Sequence, residues 1–297
     1  MSAPVLPGNR FADFKAYLKK VGFSFEKRPH QEFLARAPGL VVSLYSSGKV
    51  VIAGKDRTLE REVRWYLGKL GAAGAALPGK LDAVKGRTRI GTDEAGKGDY
   101  FGPLVVAAVL LAPETEEKMK ALGVRDSKKL SDKRVGEMAP LVKRAAGAGG
   151  WEVLRIDPPK YNALHEEMGD QNAVLAWGHS RLIENALAAH ADCRLAVVDE
   201  FSARSLLRAL KEKGRDIEVV QSSGGERDMA VAAASVLARA AFLERLAAMG
   251  EEHGMDFPKG ASAVEGAARG FVSSRGAASL GLVAKLHFRT TKKVLGP

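Results

Sequence analysis

The sequence predicts a small α+β unit followed by a larger α/β unit built on a mixed sheet. Three observations carry this. Residues 1–71 hold a helical pattern, four apolar runs parted by turn residues and a second helical pattern, enough for a complete small domain. The stretch GAAGAALPGKLDAVKGR then lacks sustained periodicity and predicts a linker over 72–87. Across 88–297 strand-like and helical runs alternate, as a sheet covered by helices requires.

In the first unit, Phe11, Phe14 and Leu18 recur at helical spacing. Apolar runs at 23–25, 33–35, 40–45 and 50–53, broken by Arg28-Pro29, Pro38-Gly39 and Ser46-Ser47-Gly48, predict a four-stranded antiparallel meander. Leu59, Val63, Leu67 and Leu70 mark the inner face of a second helix, with Arg57, Arg61, Arg64 and Lys69 expected to face outward. In the larger unit, strands are expected at 89–93, 103–112, 151–156, 195–199 and 217–221. Helices are expected at 131–145, 171–190, 203–213 and 229–248, with a helical region at the C-terminus.

The composition, 46% hydrophobic and 27% charged, excludes disordered and fibrous classes. The chain has no apolar run of the roughly 18 residues that a spanning helix needs, and its start carries no apolar core of a secretion signal. A cytoplasmic protein without a membrane partner is expected. The single cysteine, Cys193, lies in the apolar run CRLAVV and reads as a small buried hydrophobe. The net charge of +11 is concentrated: residues 1–88 hold 16 Lys and Arg against 7 Asp and Glu. A focused basic region attracts polyanions, so nucleic acid or an anionic surface is the expected partner. A plain solubility charge is the other reading.

The segment GTDEAGKGDYFGP puts Asp93 and Glu94 at a strand end, followed by glycines that let a ligand's backbone come close. It is no nucleotide-binding P-loop, because Lys97 is followed by Gly98 and not by Ser or Thr. A simple strand and turn is the competing reading. Asp199 and Glu200 close the run LAVVDE, where they either cap a strand in solvent or reach into a site. Glu226 precedes a small-residue helix, as a dipole complement or as a ligand. Carboxylates gathered from separate segments repel one another unless cations neutralise them. Oxygen-only ligation favours magnesium or manganese, and two such ions suffice for phosphodiester hydrolysis without a nucleophilic side chain. Consecutive strand residues point to opposite faces, so Asp93 and Glu94 share a site only if the strand ends or twists there, which Gly96 makes plausible.

The motifs GTDEAGKGDYFGPLVVAAV, RDSKKLSD, AWGH, VVDEF, GGERDMAVAAASVLARAAF and AKLHF, in that order, resemble the ribonuclease HIII family of type 2 ribonucleases H over residues 88–290. The resemblance implies a ribonuclease H-like mixed five-stranded sheet with flanking helices, preceded by a substrate-binding domain similar to TATA-binding protein. It implies endonucleolytic cutting of the RNA strand of RNA–DNA hybrids, leaving 5′-phosphate and 3′-hydroxyl ends. The metal-binding acidic quartet carries over onto Asp93, Glu94, Asp199 and Glu226. Gly96, Lys97 and Gly98 carry over as contacts to the RNA backbone and its 2′-hydroxyls, the group that tells RNA from DNA. The related ribonuclease HII usually has Arg in the glycine motif, Asp as fourth acid and no basic leading domain. Lys97, Glu226 and the first unit favour HIII. The family's Asn-x-Asn before AWGH stands here as Asp170-Gln171-Asn172, so only Asn172 carries over as a substrate contact.

The loop Asp126-Ser127-Lys128-Lys129 suits phosphate contact through Ser127 and Lys128, or is a solvated turn before a helix capped by Ser131. His179, on an apolar helix behind Trp177, is expected to be a hydrogen-bonded structural residue, and His287 has no expected role. Cleavage at single ribonucleotides embedded in DNA, and a non-catalytic nucleic-acid-binding protein, are the competing functions. A monomer is expected.

Overall fold

The computed structural model describes residues 3–72, 84, 86–199, 206, 209–210, 217–222 and 227–296, and of residues 57, 58, 61, 199, 221 and 222 the backbone only. Most of the expected linker, most of the expected helix at 203–213, Glu226, and the side chains of Arg57, Arg61 and Asp199 lie outside what is described. The chain divides into two compact units, Met1–Ala83 and Val84–Pro297.

The first unit holds helix α1 (Phe11–Lys20), strands β1 (Ser24–Glu26), β2 (Gln31–Ala37), β3 (Leu40–Tyr45) and β4 (Val50–Gly54), and helix α2 (Arg57–Lys69). The strands form the expected antiparallel meander in the order β1-β2-β3-β4. Its core joins Phe14 and Leu18 of α1, Phe33, Val42 and Leu44 of the sheet, and Val63 and Leu67 of α2. Asp56 caps α2 by accepting from Leu59 N at 2.9 Å. The buried side of α2 is not wholly apolar: Glu62 is fully buried and accepts from the Tyr17 hydroxyl at 3.1 Å. Glu62, set among Glu60, Arg61 and Arg64, gave no sign of this from sequence, because its partner lies 45 residues away.

The second unit is built on the mixed sheet that the resemblance implies. Strands β5 (Arg89–Ala95), β6 (Leu104–Leu111), β7 (Trp151–Ile156), β8 (Leu195–Asp199) and β9 (Glu218–Ser222) lie in the order β7-β6-β5-β8-β9. The hairpin β5–β6 and the pair β6–β7 are antiparallel, whereas β5–β8 and β8–β9 are parallel. Helices α3 (Pro113–Ala121), α4 (Asp132–Ala146), α5 (Pro158–Met168), α6 (Gln171–Ala189), α7 (Met229–His253), α8 (Glu265–Arg275) and α9 (Arg289–Leu295) complete the described part. Helices α3 and α5 went unread because each opens on Pro, a residue that also breaks helices, and each buries few apolar side chains.

Alternation along β6 assigns the faces. Val105, Ala107 and Val109 pack with α7, and Val106 and Ala108 with Leu182 and Ile183 of α6. Gly91 lets α7 lie directly on β5, for a Cβ there would stand 2.2 Å from the carbonyl carbon of Ala230. Cys193 is buried, as expected, and burial pushes its thiol up. Among the described residues no helix is long and apolar enough to cross a membrane.

Candidate active site

Strand β5 runs to Ala95, two residues beyond the expected end, so it does not stop between the two acids: Asp93 pairs with Ala107 and Glu94 with Val106. Their side chains therefore start from opposite faces, Asp93 on the α7 side and Glu94 on the α6 side. Two features shape the end of the strand. Asp93 Oδ1 accepts from Glu94 N at 2.9 Å, which folds its carboxylate back along the chain toward residue 94. Gly96, with φ of +86°, then turns the chain out of the sheet. A Cβ on Gly96 would stand 2.1 Å from Pro103 O, so no other residue fits.

The register of β5 on β8 supplies the next member. Thr92 pairs with Val198 in parallel, and the following residues on the two strands are Asp93 and Asp199. Both therefore occupy neighbouring positions at the carboxyl ends of central strands, where open α/β sheets bind ligands.

Glu94 is held from two sides. Its Oε1 is 3.4 Å from Lys97 Nζ. Its Oε2 lies 3.3 Å from His179 Nε2 yet accepts no aligned hydrogen bond and is buried. Burial pushes the Glu94 carboxyl up, but His179 and Lys97 outweigh it and the net shift is downward. His179 Nδ1 is 2.7 Å from Thr92 Oγ1. The histidine is thus a hydrogen-bonded buried residue, as expected, but it braces a site acid, which its place behind Trp177 did not reveal. Among the described residues no group of three His, Cys, Asp or Glu side chains forms a metal centre. Asp93 and Glu94 are the expected ligands whose side chains are described.

The glycine loop is anchored through its carbonyls. Gln171 Nε2 donates to Lys97 O at 2.9 Å and lies 3.2 Å from the Tyr161 hydroxyl. Lys285, fully buried, donates to Asp99 O and Gly102 O, each at 2.8 Å. Gly98 differs from Gly96: a Cβ there would meet nothing within 4 Å among the described residues, so the protein's own packing does not explain the glycine. Asp170 caps α6 by accepting from Asn172 N and Ala173 N, and Asn172 is exposed in the first turn. Ser127 is buried, its N–H donating to Ser235 Oγ at 3.0 Å, whereas Lys128 is exposed. Ser131 caps α4 as expected.

Sequence reading missed Gln171 and Lys285. The only signal was a lysine set in the apolar run GLVAKLHF, which pointed to a buried cation without naming its partners.

The family model described as Ribonuclease HII matches residues 90–291. Ribonuclease HIII of Protochlamydia amoebophila (strain UWE25) is 37% identical over 284 residues, 94% of this chain and 91% of that one. Ribonuclease HIII of Chlamydia trachomatis serovar L2 is 35% identical over 297 aligned residues, covering 96% of this chain and 94% of its own. Among solved structures, that of Bst-RNase HIII in complex with Mn2+ superposes with a TM-score of 0.65 at 32% identity, over 98% of this chain and 96% of that one. The family model covers most of the second unit and the relatives cover both units, so the chain belongs to the ribonuclease HII family and, within it, to the ribonucleases HIII.

Proposed function

We propose that this chain cuts the RNA strand of RNA–DNA hybrids endonucleolytically, with divalent metal ions held by Asp93, Glu94, Asp199 and Glu226. The observation that carries the reading is the strand register that sets Asp93 beside Asp199, with Glu94 next in the chain and the glycine loop directly after. The donor set fits such ions. Its ligands are all oxygens, which suit magnesium or manganese better than zinc. Glu94 Oε2 is buried, with His179 Nε2 3.3 Å away but not aligned as a donor, and a cation would satisfy it. The Mn2+ complex of Bst-RNase HIII supports manganese as one of the ions.

When bound, a pair of such ions activates the attacking water and stabilises the leaving oxygen, consistent with 5′-phosphate and 3′-hydroxyl products. The chain's own groups do the positioning. His179 and Lys97 orient Glu94. Gly96, Lys97 and Gly98 take the RNA backbone and its 2′-hydroxyls, with Ser127, Lys128 and Asn172 as flanking contacts. Residues 1–71, with the basic excess, grip the duplex, 72–87 link, and 88–297 carry the chemistry. The protein acts as a cytoplasmic monomer.

A labelled RNA–DNA hybrid, double-stranded RNA and double-stranded DNA of one sequence, each with Mg2+, Mn2+ or EDTA, test the reading. Cutting of the hybrid alone, only with metal, is expected. Cutting in EDTA, or equal cutting of all three duplexes, would overturn it. A duplex with one embedded ribonucleotide is expected to be the poorer substrate.

Gly98→Ala gives a second test. The added methyl meets open space in unstrained backbone, so stability should change by under about 0.5 kcal/mol. If an RNA backbone approaches there, KM for the hybrid rises by about tenfold, roughly 1.4 kcal/mol. An unchanged KM would remove Gly98 from the contact surface.

A further inference from the structure

The glycine loop is held by two side chains that the proposed chemistry does not use, and both act on its carbonyl side. Lys285 lies between the turn Ala277–Leu282 and α9. Its Nζ reaches Asp99 O and Gly102 O at 2.8 Å and Phe101 O at 3.5 Å, and stands 5.8 Å from the centre of the Tyr161 ring. Its own N–H donates to Tyr100 O at 2.9 Å, and Gly102 N donates to Val283 O at 3.0 Å. Gln171 completes the arrangement from the other flank, joining Lys97 O to the Tyr161 hydroxyl. The carbonyls of residues 97, 99, 100, 101 and 102 are thereby bound to groups of distant segments.

The geometry points to Lys285 and Gln171 as positioning residues that fix the peptide orientations of the glycine loop and so set the enzyme's preference for a hybrid over duplex DNA. The inference rests on the proposed contact between Gly96–Gly98 and the RNA strand. A peptide whose carbonyl is held inside has its N–H directed the opposite way: Gln171 thereby directs Gly98 N, an N–H of the kind that receives phosphate and hydroxyl oxygens, whereas Lys285 fixes the base from which that peptide projects, where Tyr100 N donates to Gly260 O, Gly102 N to Val283 O and Pro103 has no N–H. Lys285 suits the task because an ammonium carries three donors and accepts nothing, so one side chain gathers several carbonyls. Burial pushes that ammonium down to about 7, and the charge of Asp99 acts in the opposite sense. Asp99 contributes beyond its carbonyl, since its Oδ1 accepts from Gly260 N at 2.6 Å.

The test uses the full chain, Lys285→Met and Gln171→Leu. Affinities for a continuous hybrid and for duplex DNA of the same sequence are measured by fluorescence anisotropy in Ca2+, beside steady-state kinetics in Mn2+. Lys285→Met is expected to weaken hybrid binding about tenfold and DNA binding less than twofold, with the loss in KM and kcat within threefold. Gln171→Leu, which leaves the buried lysine in place, is expected to lose about threefold in the same ratio with an unchanged melting temperature. The double variant should lose less than the product of the two, because both act on one loop. Equal weakening on hybrid and DNA, or a ratio within a factor of 1.5 of wild type for a folded variant, would overturn the inference. If Lys285→Met does not fold, Gln171→Leu alone decides by the same criterion. A wild-type enzyme that neither prefers nor cuts the hybrid would instead overturn the functional reading, before any variant is compared.

Discussion

Replacing Asp93 by Asn is expected to lower metal-dependent cutting by at least about a thousandfold, roughly 4 kcal/mol in the barrier. The substitution keeps the size of the side chain and an oxygen that accepts from Glu94 N, so the local fold around residue 94 persists. What it removes is one negative charge, at the register position beside Asp199. A divalent ion held by carboxylates binds more weakly when one of their charges is removed, because the ligands' attraction must offset its dehydration. The hybrid itself should still bind within about threefold in Ca2+, since its phosphate and sugar contacts lie elsewhere. Thermal stability should hold or rise, because Asp93 is 9% exposed and sits beside Glu94, a like charge that the ion normally offsets. Undiminished cutting would take Asp93 out of the ligand set. Loss of both cutting and hybrid binding would make it a structural residue.

The sheet was legible because each strand carries its own signal, a short apolar run bounded by turn residues, proline or polar residues. The register that makes the site was not legible, because it depends on which strands become neighbours. Asp93 and Asp199 are 106 positions apart in sequence yet adjacent at the ends of β5 and β8. The objection that Asp93 and Glu94 diverge was sound for a regular strand. The strand does not end at 93, and the Asp93 carboxylate accepts from Glu94 N, a side-chain detail that spacing does not encode. Gln171 was passed over as the middle residue of a motif from which only Asn172 carried over, although it holds the carbonyl of Lys97 in the glycine loop. Arg89 and Asp228 form a buried pair at 2.7 Å across 139 residues, a contact no local pattern announces.

Asp228→Ala is expected to cost the second unit about 4 kcal/mol and to have the largest effect on stability of any single change considered. Two mechanisms act at once. Asp228 is the N-cap of α7, accepting from Ala230 N at 2.9 Å and Val231 N at 3.4 Å, and loss of such a cap costs about 1 kcal/mol. Its other oxygen binds Arg89, whose side chain is 1% exposed and whose remaining carboxylate partner is Glu116 at 2.9 Å. Truncation would leave a buried guanidinium half compensated, and breaking such a pair costs roughly 3–5 kcal/mol. The helix that loses its cap is the one lying on β5 over Gly91, so the damage falls on the strand that carries Asp93 and Glu94. Burial pushes the Asp228 carboxyl up further than Arg89 brings it down, which marks a pair whose attraction does not fully return its desolvation. Neutralising the network while keeping the cap, with Arg89→Met, Glu116→Gln and Asp228→Asn together, should therefore be milder than Asp228→Ala alone. Urea unfolding followed by tryptophan fluorescence at neutral pH reads both. A triple variant less stable than Asp228→Ala would mean that the ion network stabilises the fold outright and that the cap is the lesser term.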